Sequence, residues 1–132
     1  MTSNPDAAKL SKICSQDDSA PLPPISFDAF SKVEIRVGQI TAASLNEKAR
    51  KPAYVLSIDF GPFGIKTSSA QLTQNYTAEE LVGRRILAVM NFPPKSVAGI
   101  RSEVLVLASV NEAQGVVLVE PDREVDLGSR IS

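Results

Sequence analysis

The chain has 132 residues, is 43% hydrophobic and carries a net charge of −1, which suits one packed domain and excludes a chain disordered throughout. It contains no histidine and one cysteine, Cys14, so histidine-based nucleophile systems, histidine pH switches, an internal disulfide and a cysteine metal cluster are all excluded. No segment reaches the ~18 consecutive apolar residues of a membrane span, and the N-terminus lacks the ~7–15-residue apolar run of a secretory signal, so a cytoplasmic location is expected.

Residues 1–25 read as a flexible leader that ends in Pro21-Leu22-Pro23-Pro24, where the prolines impose extended backbone. The domain then runs over 26–132. Ser26 is a suitable N-cap for a helical turn over Phe27–Ser31, with Phe27 and Phe30 expected to point inward. Val33, Ile35 and Val37 alternate with Glu34, Arg36 and Gly38, the period of a half-buried strand continuing to about Ser44. Gly38 within that pattern suggests a bulge or bend.

The loop 46–52 delivers Lys48, Arg50 and Lys51 together. A second strand places Tyr54, Leu56, Ile58 and Phe60 on one face and Val55, Ser57 and Asp59 on the other. Gly61-Pro62-Phe63-Gly64 is a turn. The third strand, 65–70, puts Lys66 and Ser68 on one side and Ile65, Thr67 and Ser69 on the other. Thr77-Ala78-Glu79-Glu80 fits a capping box, with Gly83 as the helix stop. A fourth strand is expected over 85–91, closed by Phe92-Pro93-Pro94, and two more over 103–108 and 115–119. A polar tail over 121–132 completes the chain. Short, glycine-kinked strands with a helix between the third and fourth describe a mainly all-β protein. Its expected form is a five-stranded OB-fold barrel with short helices and terminal additions.

Charge is unevenly placed. Residues 32–101 hold ten bases against five acids, whereas 102–132 hold two bases against six acids. An acidic pI can therefore coexist with a cationic barrel surface. Lysine and arginine answer phosphates, and neutral donors answer ribose hydroxyls and base edges. Arg36, Lys51, Lys66, Ser68, Gln71, Asn91 and Ser102 supply both kinds, and Tyr54 or Phe92 could stack a base. The competing reading makes Ser68 and Asn91 partners of backbone groups at strand ends. Asp59-Phe60-Gly61 is a strand end entering a turn, because no other protein-kinase motif accompanies it. Glu34, Asp59 and Glu103 read as ion-pair partners rather than acid–base catalysts. No catalytic residue, metal or cofactor is expected.

Several segments carry a family likeness: Val33–Ile40, Arg50–Tyr54 running on to Gly61, Lys66–Gln71, Leu81–Pro94 and Ser102–Leu107. Through them the chain resembles the CsaA-like branch of the tRNA-binding-domain family, in nearly unbroken order from Phe27 onward. The resemblance implies tRNA as partner, with Arg36, Lys66, Ser68, Ser69, Asn91, Ser102 and Glu103 as contact candidates. It also implies a homodimer, with Phe27, Phe30, Val116, Leu118 and Ile131 in the corresponding additions. Two alternatives stay open. One is a chaperone of the protein-export kind that receives unfolded precursor proteins in a groove near Phe92, Pro93, Val97 and Ile100. The other is a partner that docks on an aminoacyl-tRNA synthetase and presents tRNA to it. Ile100-Arg101 departs from the family's usual residues before the Ser-Glu-Val segment.

Overall fold

A computed structural model describes residues 20–132, so Cys14 and most of the expected leader lie outside the described residues. From residue 20 to Ser26 the chain has no regular structure. Helix α1 (Phe27–Ser31) follows, and the Ser26 hydroxyl accepts from the Ala29 amide at 2.9 Å as expected. The inward direction of its aromatic residues is corrected: α1 buries nothing, and Phe27 is 78% exposed.

The sheet that follows consists of β1 (Ile35–Leu45), β2 (Tyr54–Asp59), β3 (Ile65–Ala70), β4 (Arg85–Val89) and β7 (Leu105–Val106). Their order is β3-β2-β1-β4-β7, antiparallel throughout. A 3-10 turn (Gly61–Phe63) joins β2 to β3, and helix α2 (Ala78–Leu81) precedes β4. Both halves of the expected capping box on α2 are present.

β1 is long enough to serve two halves of the sheet. Its first residues pair with β4, and its later ones with β2. The register slips between Ile40 and Ala42, so the bulge falls at Thr41 and not at Gly38. Gly38 has a different role. A Cβ there would lie 2.5 Å from the Phe60 ring and 2.6 Å from Ile58, so the missing side chain lets β1 fold tightly over β2. The core is built from Ile40, Leu56, Ile58, Phe60, Leu72, Leu81 and Ile86, all essentially without solvent contact. The β2 alternation is observed as expected, with Tyr54, Leu56 and Ile58 inside.

Two hairpins and a terminal strand complete the chain. The first, β5 (Lys95–Val97) with β6 (Ile100–Ser102), was not anticipated. The single strand expected over 103–108 is instead β7 followed, after Leu107, by β8 (Ala108–Asn111), which forms a hairpin with β9 (Gly115–Leu118). The polar tail also contains a strand, β10 (Arg130–Ile131), paired with Ile35 and Arg36 of β1.

Closure of the barrel between β3 and the chain after β6 relies largely on side chains. The Thr67 carbonyl accepts from the Glu103 amide at 2.7 Å, and the Thr67 amide donates to the Glu103 carboxylate at 2.9 Å. The Ser69 amide donates to the Ser102 hydroxyl at 3.1 Å. The Ser68 hydroxyl, 1% exposed with its residue, donates to the Val104 carbonyl at 3.0 Å. Leaving a buried acceptor unpaired costs about 1–3 kcal/mol. Replacing Ser68 with Ala should therefore lower unfolding stability in urea by about that amount, and an unchanged midpoint would show that the seam does not depend on this hydroxyl. Gly38→Ala should be destabilising by about 1–3 kcal/mol or more in the same assay, because overpacking a filled core displaces the Phe60 ring.

Candidate nucleic-acid interface

The outward face of β2 and β3 is small and polar. Ser57 stands opposite Thr67 and Val55 opposite Ser69, with Ala42 and Ser44 of β1 continuing the same rows. Two basic segments border the end of this face where β3 finishes. The loop 46–53 carries Lys48, Arg50 and Lys51, all exposed. The β5–β6 hairpin lies beside β3 and carries Lys95 and Arg101, also exposed. The two meet at their tips, where a Cβ on Gly99 would stand 3.9 Å from the Lys48 side chain.

Local sequence explains both segments. In the loop, Asn46 is buried and its side-chain oxygen accepts from the Lys48 amide, an Asx-type turn that aims the following residues outward. The hairpin turns on Ala98 (φ 48°) and Gly99 (φ 84°), two successive residues in the left-handed region, as tight two-residue hairpins require. Alanine is a poor residue for that position, so the turn carried little signal in the sequence.

Ion pairing sorts the remaining bases. Arg84 pairs with Glu120 at 2.9 Å, Arg85 with Glu124 at 3.2 Å and Arg123 with Asp122 at 3.2 Å. The acidic C-terminal third is thus paired in part with arginines on its own side of the barrel. Lys48, Arg50, Lys51, Lys66, Lys95 and Arg101 have no carboxylate partner within 4 Å among the described residues.

Several expected contact residues prove to be structural. Arg36 donates to Glu34 at 2.6 Å and to the Gly128 carbonyl at 2.8 Å, and its guanidinium lies 4.0 Å from the centre of the Phe63 ring. It fastens β1 to the C-terminal segment and is not free for a phosphate. Asn91 accepts from the Glu34 amide and donates to the Lys32 carbonyl, which ties β4 to the chain before β1. Ser68, Ser102 and Glu103 belong to the closing seam, with Ser68 wholly inside. Tyr54 is buried and donates to the Tyr76 carbonyl, so it is not a stacking platform.

Lys66 is half-buried and shares the inward parity of Ser68, opposite Ile58. It sits near the far end of β3, four residues and roughly 13 Å from Ala70 at the strand rise of ~3.3 Å. Lys51 and Gln71 are exposed, and Ser69 lies on the outward face beside the loop end. The structure therefore brings Lys51, Ser69 and Gln71 together and leaves Arg36 and Lys66 at the opposite end.

The residues expected to line a groove, Phe92, Pro93, Val97 and Ile100, lie on and just before the β5–β6 hairpin. Val97 and Ile100 face one another across the hairpin, and Phe92 and Pro93 are exposed. Of the residues assigned to a dimer contact, Leu118 is corrected to the core, Val116 packs against that core, and Ile131 pairs with Ile35. Phe27 is exposed and Phe30 half-buried, their rings 6.5 Å apart.

A family model described as "Putative tRNA binding domain" matches residues 35–130. The chain belongs to the tRNA-binding-domain family. It is 36% identical to a methionine–tRNA ligase of Pyrococcus furiosus over 107 residues, which are 81% of this chain and 14% of the ligase. It is 37% identical to the methionine–tRNA ligase of Leptospira biflexa over 132 residues, 96% of this chain and 19% of that enzyme. This chain thus corresponds to a small part of those relatives. Among solved structures, chaperone CsaA of Bacillus anthracis is 49% identical with a TM-score of 0.80, matching 83% of this chain and all of that one. A MetRS-related protein of Pyrococcus horikoshii is 26% identical with a TM-score of 0.76, matching 84% of this chain and 100% of its own.

Replacing Arg36 with Leu should lower stability by about 1–3 kcal/mol, since hydrogen bonds from a charged donor are lost and Glu34 is left unpaired. Urea unfolding measures this, and a variant as stable as the parent would contradict a fastening role.

Proposed function

We propose that this domain binds tRNA without modifying it, through the rim where the 46–53 loop meets the β5–β6 hairpin. The observation that carries the reading is the sorting of charge. Five bases without carboxylate partners among the described residues border this rim, while Arg84, Arg85 and Arg123 are each paired with a carboxylate of residues 120–124. Lys48, Arg50, Lys51, Lys95 and Arg101 would neutralise phosphates, and the hydroxyl rows of β2 and β3 would lie against ribose. OB barrels use this combination of strand face and bordering loops for nucleic acid.

The methionine–tRNA ligases in which a similar segment occurs favour a role beside a synthetase, with this domain supplying affinity for the shared tRNA. Pairing of two copies, which we also propose, would raise the effective concentration of the second rim once the first is engaged. Exposed Leu22, Ile25 and Phe27 on the segment leading into α1 offer apolar surface for it. The chaperone reading draws its support from the name of a similar structure, chaperone CsaA of Bacillus anthracis.

A gel-shift titration with bulk tRNA from 50 to 300 mM salt tests the proposal. The log–log slope should lie at roughly −2 to −5, as expected when that many phosphates are neutralised. Arg101→Glu should weaken binding about tenfold or more, whereas Arg84→Glu should change it less than threefold. A flat salt response, or equal losses for both variants, would contradict the proposal.

A further inference from the structure

Behind the basic rim lies a cleft of about 440 Å³ between the 46–53 loop, the segment after β3 and the β8–β9 hairpin. Lys51 and Pro52 line it from the loop, the exposed Gln71 and Gln74 from the segment after β3, and Asn111, Glu112 and Val116 form the opposite wall. The opposite wall is held in place. Asn75 donates to the carbonyls of Gln114 and Val116 at 2.8 and 2.9 Å, and the Tyr76 hydroxyl accepts from the Leu118 amide at 3.0 Å. Gly115 brings the hairpin against Gln74, since a Cβ there would stand 2.7 Å from the Gln74 side-chain oxygen.

We infer that this cleft receives one unstacked nucleotide of the bound RNA. The inference rests on the RNA-binding reading above and gives it a second element, a pocket for a single base. Three features favour that occupant. Pro52 and Val116 offer apolar surface to a base face, while the amides of Gln71 and Gln74 each offer a donor and an acceptor to a base edge. Lys51 stands at the rim side, where a phosphate entering from the basic surface would lie. At the far wall, the Asn111 oxygen is already held by the Gln114 amide, which leaves its NH2 group as a donor. The rim thus grips the backbone of folded RNA, and the cleft selects a site where a nucleotide is unpaired.

NMR titration of the isotopically labelled full chain separates the two elements. The probes are a hexanucleotide of alternating adenosine and cytidine, which cannot self-pair, and a blunt RNA duplex. The hexanucleotide should shift the side-chain NH2 resonances of Gln71 and Gln74 and the methyls of Val116. The duplex should shift backbone amides of 47–51 and 99–101 and leave the cleft unchanged. Gln74→Ala should weaken hexanucleotide binding about fivefold or more and duplex binding less than twofold, with an unchanged unfolding midpoint. If the hexanucleotide shifts only the rim, or Gln74→Ala binds both probes as the parent does, the cleft is not a base pocket and the rim reading stands. If neither RNA shifts any resonance, both readings fail together.

Discussion

The seam between β3 and the residues after β6 is the constraint on which the surface depends. Two strands joined only by backbone pairing would follow each other in register. Here Ser102, Glu103 and Ser68 complete the joint with side-chain groups, so the approaching chain can leave the ladder after Glu103. That departure allows β5 and β6 to form a separate hairpin flanking β3 instead of a continuation of the barrel. The hairpin tip then reaches Lys48, and the basic rim exists only because the seam places it there.

Electrostatics follows the same division. Arginine, with a forked donor set, occupies the positions that need fixed geometry: Arg36 under the C-terminal segment, and Arg84 and Arg85 against the acidic residues of 120–124. Five of the eight bases without a carboxylate partner among the described residues are lysines, which suits contacts to a phosphate chain of variable path. A half-buried pair such as Arg36–Glu34 is screened little by salt, whereas the exposed rim is screened strongly. Fold and binding surface should therefore respond differently to ionic strength.

Much of the barrel was legible in the sequence. The β2 alternation, the β3 limits and the Thr77–Glu80 capping box are local patterns, and each appears where its residues predict. The contact residues were less legible, for one physical reason. A motif such as Lys66–Gln71 with Ser102–Glu103 describes residues that must stay together, and hydrogen bonding across the seam demands that as much as RNA would. Period alone could not say which face of β3 is interior, so Ser68 was expected outside although its hydroxyl closes the core. The missed bases, Lys95 and Arg101, lie on a hairpin whose Ala-Gly turn lacks the usual Asn-Gly signal. The terminal strand β10 was hidden for a similar reason, because two paired residues leave no period to detect.

Amide hydrogen exchange of the full chain, with and without saturating tRNA, tests most directly the claim that charge sorting defines the binding face. Exchange should slow across residues 46–53 and 95–102 and stay unchanged across 120–126. Protection concentrated on 120–126, with the loop and hairpin exchanging as in the free protein, would contradict the account.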